Sequence, residues 1–421
     1  MESKPRLPVE TFDLPIHKIR RGYYSAVYFW REKQILEKMG YDKKVLMQVF
    51  QKKKAVICGT DEAIAVLKLC SGHYQNQEEA FHCFNQLLKV NKELQRLNHL
   101  TKADTIPIHL PTIYRDTESS KKQIEFELNY LWQQTFDQLK VMSLRDGDKI
   151  RPWETVMTII GLPQNFAHLE SVYLGILARR TLVATNVRKV TEAAQGKPIF
   201  FFADRFDHFE NQTGDGYAAV IGGAKAVATD SMGEWWGNQG SGTMPHALIA
   251  CFNGDTVAAT IAFAKAYPEV PCISLVDFKN DCVKTALEVA EAMKAEGLPF
   301  WGVRLDTSEN MVDHSLPQHI YSQDGDLNKY KGVNPHLVNY VRDTLDQHGH
   351  QDVKIVVSGG FTAEKIEFFE KEKVAVDAYG CGNSLIVGSN PFTADIVMVD
   401  GYPCSKVGRY YRPNPRLELV K

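Results

Sequence analysis

The sequence predicts an α/β protein in which a parallel α/β barrel follows an amino-terminal domain of mixed α+β structure. From Trp153 onward, short apolar strands end in small or acidic residues, and a helical pattern follows each of them. Repeated strand–helix units of this kind predict a parallel sheet, and their number over about 240 residues favours a barrel over an open sheet. Residues 1–150 lack this repeated strand–helix pattern, and the tail from Asp400 contains short polar strands and prolines.

Six segments carry the strand pattern of the predicted barrel: VMTIIG (156–161), PIFFFAD (198–204), CISLVD (272–277), FWGVRLD (300–306), VKIVVSGG (353–360) and VDAYGCG (376–382). We therefore expect an amino-terminal domain over residues 1–150 and a barrel domain over residues 151–394. Residues 395–421 are too few for a domain, so we expect them to pack on the amino-terminal domain.

The amino-terminal domain is expected to contain both strands and helices. Apolar runs predict short strands at Val45–Phe50 and Ala55–Cys58. Helical periodicity predicts helices at Tyr24–Met39, Asp61–Leu69, Glu78–Leu97 and Lys121–Leu139.

The composition argues against several classes of protein. The 421 residues include 49 Lys and Arg against 51 Asp and Glu, so the formal charge of -2 provides no basic excess for nucleic acid. There is no apolar run of about 18–20 residues and no apolar signal-peptide core near the start. The eight cysteines include no C-x-x-C pair, so neither a disulfide scaffold nor a structural zinc site is indicated. We expect a cytoplasmic protein with no nucleic-acid or membrane partner.

The carboxyl ends of barrel strands are where functional groups gather, and here those ends carry charged residues and glycines. The candidates are Arg205, Asp277, Arg304, Asp306, Ser358–Gly360 and Gly380–Gly382. The two glycine loops predict a phosphate site, since bare backbone N–H groups can approach an anion there; tight turns are the alternative.

Two further features suggest chemistry. Arg304 and Asp306 are two residues apart, which places their side chains on the same face of a strand end. The arginine is suited to bind a phosphate and the aspartate to bind ribose hydroxyls, although a simple ion pair between the two side chains is the alternative. His246 lies among small residues in GSGTMPHALI, where it could transfer a proton, accept a phosphoryl group or be a buried structural residue.

Taken in order, these segments resemble the nicotinate phosphoribosyltransferases, which are type II phosphoribosyltransferases. The resemblance runs from IRRGYYSAVYF (19–29) to the tail. It is carried by TLVATNVRKV (181–190), FFADR (201–205), the glycine pair at 222–223, GTMPHALI (242–249), LVD (275–277), RLDTS (304–308), SGG (358–360) and YGCGNS (379–384).

The resemblance implies a homodimer with shared active sites, in which an irregular α/β barrel carries the site and the amino-terminal domain is sandwich-like. It implies that nicotinic acid and 5-phosphoribosyl-1-pyrophosphate give nicotinate mononucleotide and pyrophosphate in NAD salvage. It also implies Mg²⁺ as a cofactor, with unassigned ligands, and ATP as a co-substrate whose hydrolysis proceeds through a phosphorylated histidine.

Individual roles follow from the same motifs. The resemblance implies that His246 accepts the phosphoryl group and that Asp277 and Asp306 lie near the ribose. The resemblance implies that Phe202 and the partner's Tyr28 stack on the pyridine ring, and that Arg205 contacts the substrate carboxylate or its neighbouring phosphate. It implies that Arg188 and Arg304 bind pyrophosphate and ribose. Thr185 and Lys225 are also implied in substrate binding. The 5′-phosphate site is assigned to Ser358, Gly359, Gly360, Gly380 and Gly382.

The chain departs from the family pattern at three places. Two positions before Tyr28, where the family has an acidic residue, this chain has Ala26. After the glycine pair, where an acidic residue is also common in the family, it has Lys225. The family motif RLDSGD is RLDTSE in this chain. A lysine favours a carboxylate, so Lys225 favours nicotinate over nicotinamide. A related enzyme using nicotinamide or quinolinate is the main alternative, and a non-catalytic metabolite-binding barrel is a more distant one.

Overall fold

The computed structural model describes residues 5–100, 109–318 and 326–421, and the chain divides into two compact units. Residues 1–179 and 390–421 form unit 1, and residues 180–389 form unit 2.

The helices follow in chain order, with α6 running across the division between the units. They are α1 (Ile16–Arg20), α2 (Val27–Lys38), α3 (Thr60–Cys70), α4 (Gln77–Leu100), α5 (Leu110–Tyr130), α6 (Glu170–Ala193), α7 (Gln212–Gly222), α8 (Asp230–Gly233), α9 (His246–Cys251), α10 (Thr256–Ala266), α11 (Cys282–Ala295), α12 (Pro335–Gln347) and α13 (Ala363–Lys371).

The strands belong to one large sheet in each unit and to two small pairs in unit 1. They are β1 (Val45–Gln51), β2 (Ala55–Val56), β3 (Gly72–Tyr74), β4 (Trp132–Gln134), β5 (Lys140–Ser143), β6 (Lys149–Ile150), β7 (Thr155–Gly161), β8 (Ile199–Phe201), β9 (Ala226–Val227), β10 (Ile273–Leu275), β11 (Gly302–Leu305), β12 (Lys354–Val357), β13 (Ala378–Cys381), β14 (Phe392–Val399), β15 (Tyr402–Pro403) and β16 (Glu418–Leu419).

Unit 1 is built on an antiparallel sheet of order β15-β14-β1-β7-β5-β16. All seven residues of β1 are buried, as expected of a central apolar strand, and β1 pairs with both β14 and β7. The carboxyl-terminal part of unit 1, residues 390–421, contributes β14, β15 and β16 to this sheet. Apolar side chains of the sheet form one core with residues of α3 and the first half of α6, including Leu67 and Leu177.

The segment 156–161, predicted to open the barrel, lies instead in unit 1. It forms most of β7, which pairs antiparallel with β1 and β5. An apolar run of this length predicts a buried strand but does not reveal the direction of its neighbours. The observed boundaries between the two units, after residues 179 and 389, therefore differ from the domain boundaries predicted from the sequence, after residues 150 and 394.

The helix predicted at Lys121–Leu139 was wrong at its carboxyl end. Helix α5 ends at Tyr130, and Trp132–Gln134 then form β4, which pairs with β3. Trp132 packs edge-on against Tyr74 with ring centroids 4.8 Å apart, so a partner distant in sequence overrides the local helical pattern.

Unit 2 contains a curled sheet of parallel strands in the order β10-β11-β12-β13-β8-β9. The predicted fold class is confirmed, because this sheet is a parallel half-barrel and the chain begins with a separate sheet domain. Helices follow the strands and carry the expected caps: Asn334 accepts a hydrogen bond from the Leu337 N–H, with Pro335 at the first position of α12. Within the described residues, no helix combines the length and apolarity needed to span a membrane.

Candidate active site

Neighbouring parallel strands of unit 2 bring the predicted residues to one edge of the sheet. Phe202 follows β8, Asp277 follows β10, Asp306 follows β11 and Ser358 follows β12. Because β10, β11 and β12 are adjacent and parallel, their carboxyl ends share an edge.

Arg304 is the most highly connected of these residues. Its Nε donates to Ser358 Oγ at 3.0 Å, its Nη1 to Thr243 Oγ1 at 2.7 Å, and its Nη2 to Asp306 Oδ2 at 3.2 Å. Ser358 Oγ donates in turn to Asp306 Oδ1 at 2.7 Å. We call Thr243, Arg304, Asp306 and Ser358 the arginine network. These hydrogen bonds fix the guanidinium and the carboxylate at the strand ends.

Phe202 lies beside the arginine network. Its ring centroid is 5.5 Å from the Arg304 guanidinium carbon, which is a cation–π distance. A Cβ at Gly380 would lie 2.7 Å from Cε2 of that ring, and one at Gly382 would lie 2.6 Å from a ring carbon of Phe206. Both glycines of the YGCG motif therefore make room for aromatic rings of the segment after β8.

His246 and Asp277 form a pair at the same edge. His246 Nε2 lies 2.9 Å from Asp277 Oδ2, and the histidine side chain is 43% exposed whereas the aspartate is 9% exposed. The hydrogen bond and charge of Asp277 raise the pKa of His246 against the opposing effect of burial. The other carboxylate oxygen, Asp277 Oδ1, is buried and has no hydrogen-bond partner among the described residues.

The loop after β12 has the features of an anion site. Gly359 and Gly360 are exposed and adopt φ values of +87° and +71°. Thr362 caps α13, its Oγ1 accepting from the Lys365 N–H at 3.3 Å, so the positive end of this helix follows the loop. Lys365 Nζ lies 3.4 Å from the Gly359 carbonyl oxygen, and burial lowers the pKa of Lys365.

Sequence reasoning missed two residues of this edge, Thr243 and Lys365. Thr243 is three residues before His246, and its only sequence signal is membership of the same GTMPH segment. Lys365 lies three residues after Thr362, the N-cap of α13, and it belongs to none of the motifs identified in the sequence.

Four other predicted residues lie on other segments of unit 2. Arg188 lies on α6 and donates to the Ile221 carbonyl at 2.9 Å, and its buried Nε has no hydrogen-bond partner within residues 5–100, 109–318 and 326–421. Arg205 is exposed, with its guanidinium carbon 5.9 Å from the Phe206 ring centroid. Lys225 is exposed just before β9, and Thr185 is half-buried on α6.

Tyr28, the aromatic residue expected from the partner subunit, lies in unit 1. It is on α2, its ring centroid is 4.3 Å from that of Phe29, and its side chain is 65% exposed. An exposed tyrosine on this helix is available to a second chain.

Comparison with known proteins gives curated relatives but no matching family model. Nicotinate phosphoribosyltransferase pncB1 of Mycobacterium tuberculosis is 28% identical over 286 residues, or 66% of this chain and 57% of the relative. Nicotinate phosphoribosyltransferase of Bacillus subtilis is 24% identical over 248 residues, or 58% of this chain and 45% of the relative. The chain spans about half the length of the curated relatives it matches.

Solved structures extend the likeness over most of the chain. Nicotinate-nucleotide pyrophosphorylase from Pyrococcus furiosus is 27% identical with a TM-score of 0.67, and the match covers 97% of this chain and 85% of that chain. In sequence and fold, this chain is similar to the type II phosphoribosyltransferases. Human nicotinic acid phosphoribosyltransferase has a similar fold at 16% identity, with a TM-score of 0.61 over 92% of this chain and 77% of that chain.

The His246–Asp277 pair predicts a specific pH dependence. Asp277→Asn removes the carboxylate that raises the pKa of His246, so we expect that pKa to fall. The pair stabilises the folded state fully below the unfolded pKa of about 6.5, and this stabilisation is lost as pH rises through the raised folded pKa. NMR titration of His246 measures the change. Asp343→Asn, at an exposed position of α12, is the control, and an unchanged His246 pKa in Asp277→Asn would contradict the assignment.

Proposed function

We propose that this chain is a nicotinate phosphoribosyltransferase. It would join nicotinic acid to 5-phosphoribosyl-1-pyrophosphate, releasing pyrophosphate and forming nicotinate mononucleotide for NAD salvage. The observation that carries the proposal is the arginine network beside Phe202, which combines a fixed cation, a carboxylate and an aromatic face at one sheet edge. The names of the curated relatives support the choice of nicotinate.

The reaction breaks the bond between the anomeric carbon and a pyrophosphate oxygen, and the bonding electrons leave with pyrophosphate. The pyridine nitrogen of nicotinate supplies the electron pair for the new carbon–nitrogen bond. In the transition state the ribose becomes oxocarbenium-like and the leaving group gains negative charge. Asp306 and Asp277 are suited to stabilise the sugar cation, and Arg304 is suited to stabilise the leaving group.

A magnesium ion fits the carboxylates of this edge. Asp277 presents a buried oxygen with no hydrogen-bond partner in the part of the chain that the structure describes, and carboxylate oxygens are the ligands that Mg²⁺ prefers. We infer that Asp277 and Asp306 would hold the ion, which would neutralise pyrophosphate charge when bound.

Two cationic residues support nicotinate as the base. Arg205 follows Phe202 by three residues, and Lys225 precedes β9, the strand that pairs with β8. Both are exposed, and each can attract the nicotinate carboxylate, which nicotinamide lacks. Phe202 provides a face on which the pyridine ring can stack.

ATP coupling is proposed to use His246. Its side chain is partly exposed at the start of α9, and Asp277 holds one ring nitrogen, which leaves Nδ1 for a phosphoryl group. The raised pKa of His246 means that the neutral, nucleophilic form gains population as pH rises through that pKa.

We also place the enzyme in the cytoplasm, as a homodimer with small-molecule substrates. No disulfide bond is found among the described residues, which suits a reducing compartment. The exposed Tyr28 supports a site completed by a second subunit.

A substrate panel tests the function directly. Purified protein with 5-phosphoribosyl-1-pyrophosphate and Mg²⁺ should form nucleotide from nicotinate in preference to nicotinamide or quinolinate. ATP should stimulate synthesis in the wild type, whereas His246→Asn should retain slow synthesis without stimulation. Product formation is followed by chromatography. Preference for another base would contradict the substrate assignment, and binding without product would favour a metabolite-binding barrel.

Phe202→Ala should raise the KM for nicotinate. Loss of one stacking partner removes about 0.5–1.5 kcal/mol beyond the lost area, or roughly a two- to tenfold increase in KM. Gly380→Ala should act in the same direction, because its Cβ displaces the Phe202 ring. Controls are Phe209→Ala, at a 69% exposed ring, and Gly175→Ala, where a Cβ would meet no atom of the described residues within 4 Å. If KM stays at the wild-type value in Phe202→Ala, Phe202 does not contact the base.

Subunit mixing tests the shared site. Tyr28→Ala and Asp306→Ala should each be inactive alone, because they remove different parts of the same site. After subunit exchange, half of the dimers are mixed and each holds one intact site, so about a quarter of wild-type activity should return. Exchange is verified with two affinity tags, and each variant mixed with itself is the control. Verified exchange without recovery would exclude a shared site.

A further inference from the structure

Unit 1 contains a cavity of about 750 Å³ that the reaction proposed above does not use. Its walls come from Lys54, the segment 149–155 and the tail segment 412–416. All of these lining residues belong to unit 1, and none of them is part of the arginine network, whose residues belong to unit 2. Its volume is within the range of small-molecule sites, about 300–1,000 Å³.

The lining is strongly basic although the whole chain is nearly neutral. Among the described residues, five cations and one carboxylate line the cavity: Lys54, Lys149, Arg151, Arg412 and Arg416 against Glu154. Like charges brought together in this way repel one another, and an anionic ligand relieves that repulsion.

Glu154 is already engaged by one of these cations. Its Oε1 accepts from Arg416 Nη1 at 2.9 Å, and its Oε2 accepts from the Arg151 backbone N–H at 2.8 Å. Arg416 also pairs with Asp148 at 3.1 Å. In the part of the chain that the structure describes, the side chains of Lys54, Arg151 and Arg412 have no carboxylate within ion-pair distance. Three positive charges are thus uncompensated by protein groups.

Arg412 is held in place by its backbone. Its N–H donates to Gln48 Oε1 at 3.0 Å, and its carbonyl accepts from Thr155 Oγ1 at 2.5 Å. Its guanidinium carbon lies 5.1 Å from the Trp153 ring centroid and 4.6 Å from that of Tyr410. An arginine fixed in this way loses little freedom on binding phosphate, which its planar guanidinium can contact through two parallel hydrogen bonds.

Trp153 forms an unusual turn in the same wall. Its φ of +68° lies in the left-handed region, which a bulky residue rarely adopts, and its N–H donates to the Gln51 carbonyl at 2.7 Å. Its ring stacks on Phe50 with centroids 5.5 Å apart and planes inclined by 21°. Strained residues of this kind cluster at ligand sites.

We propose that this cavity binds a polyphosphate chain, either free or as part of a nucleoside triphosphate. Three uncompensated cations match an anion of three or more charges, and two of them are arginines. The cavity exceeds what a single phosphate needs and accommodates a chain of linked phosphates. The site lies beyond the proposed synthesis of nicotinate mononucleotide and gives the chain a second anion-binding position, suited to regulation by a phosphorylated metabolite.

Hydrogen exchange on the full wild-type chain locates the site. Tripolyphosphate and ATP should each protect the segments 147–155 and 408–416, at about 0.15 M ionic strength, whereas adenosine and sulfate should not. Protection at residues 358–366 reports the phosphate loop of unit 2 separately. Protection by tripolyphosphate but not by ATP would identify an inorganic polyphosphate as the ligand. Protection by both compounds would show that the site also accepts nucleoside triphosphates.

Calorimetry on variants measures the contribution of the arginines. The double variant Arg151→Gln, Arg412→Gln should bind tripolyphosphate about tenfold more weakly at this site, because two charge-assisted contacts are lost. The control is Lys92→Gln with Arg115→Gln, which removes two exposed cations from α4 and α5. Circular dichroism confirms that each variant is folded. Equal affinities of the two double variants, or absence of protection at 147–155 and 408–416 in the wild type, would overturn the proposal.

Discussion

The permanent positive charge of Arg304 is the constraint around which the candidate site is arranged. A half-buried guanidinium must be hydrogen-bonded, and its partners come from three different segments. Thr243 lies in the segment before α9, Asp306 follows β11 and Ser358 follows β12. The three loops therefore depend on one another, since a shift in any of them leaves a charged group without its partner.

Aromatic packing imposes a second constraint on the same edge. Phe202 and Phe206 occupy the space where side chains at Gly380 and Gly382 would stand. The YGCG motif is thus a requirement for close packing between β13 and the segment after β8, in addition to any role toward phosphate. A glycine motif read from sequence as a phosphate site can have a structural reason of its own, and here both reasons act at the same positions.

Charge in this protein is a matter of local arrangement rather than of composition. The whole chain carries a formal charge of -2. Unit 1 nevertheless brings Lys54, Arg151 and Arg412 around one cavity, although they are far apart in the sequence. In unit 2, by contrast, Arg304 and His246 are each paired with an aspartate. The first arrangement leaves positive charge for a ligand, and the second positions reactive groups precisely.

The sequence alone predicted the parallel sheet, the strand ends and the chemistry at those ends, because strand–helix repeats and the residues that follow apolar strands are local properties. It located Asp277, Arg304 and Asp306 at one edge for this reason. Only the tertiary structure decided that 155–161 joins the antiparallel sheet, since an apolar strand pairs with whichever neighbour the fold supplies. The tertiary structure also supplied Thr243 as a partner of Arg304 and assembled the basic cavity of unit 1. Both depend on contacts between residues distant in sequence, which no local pattern encodes.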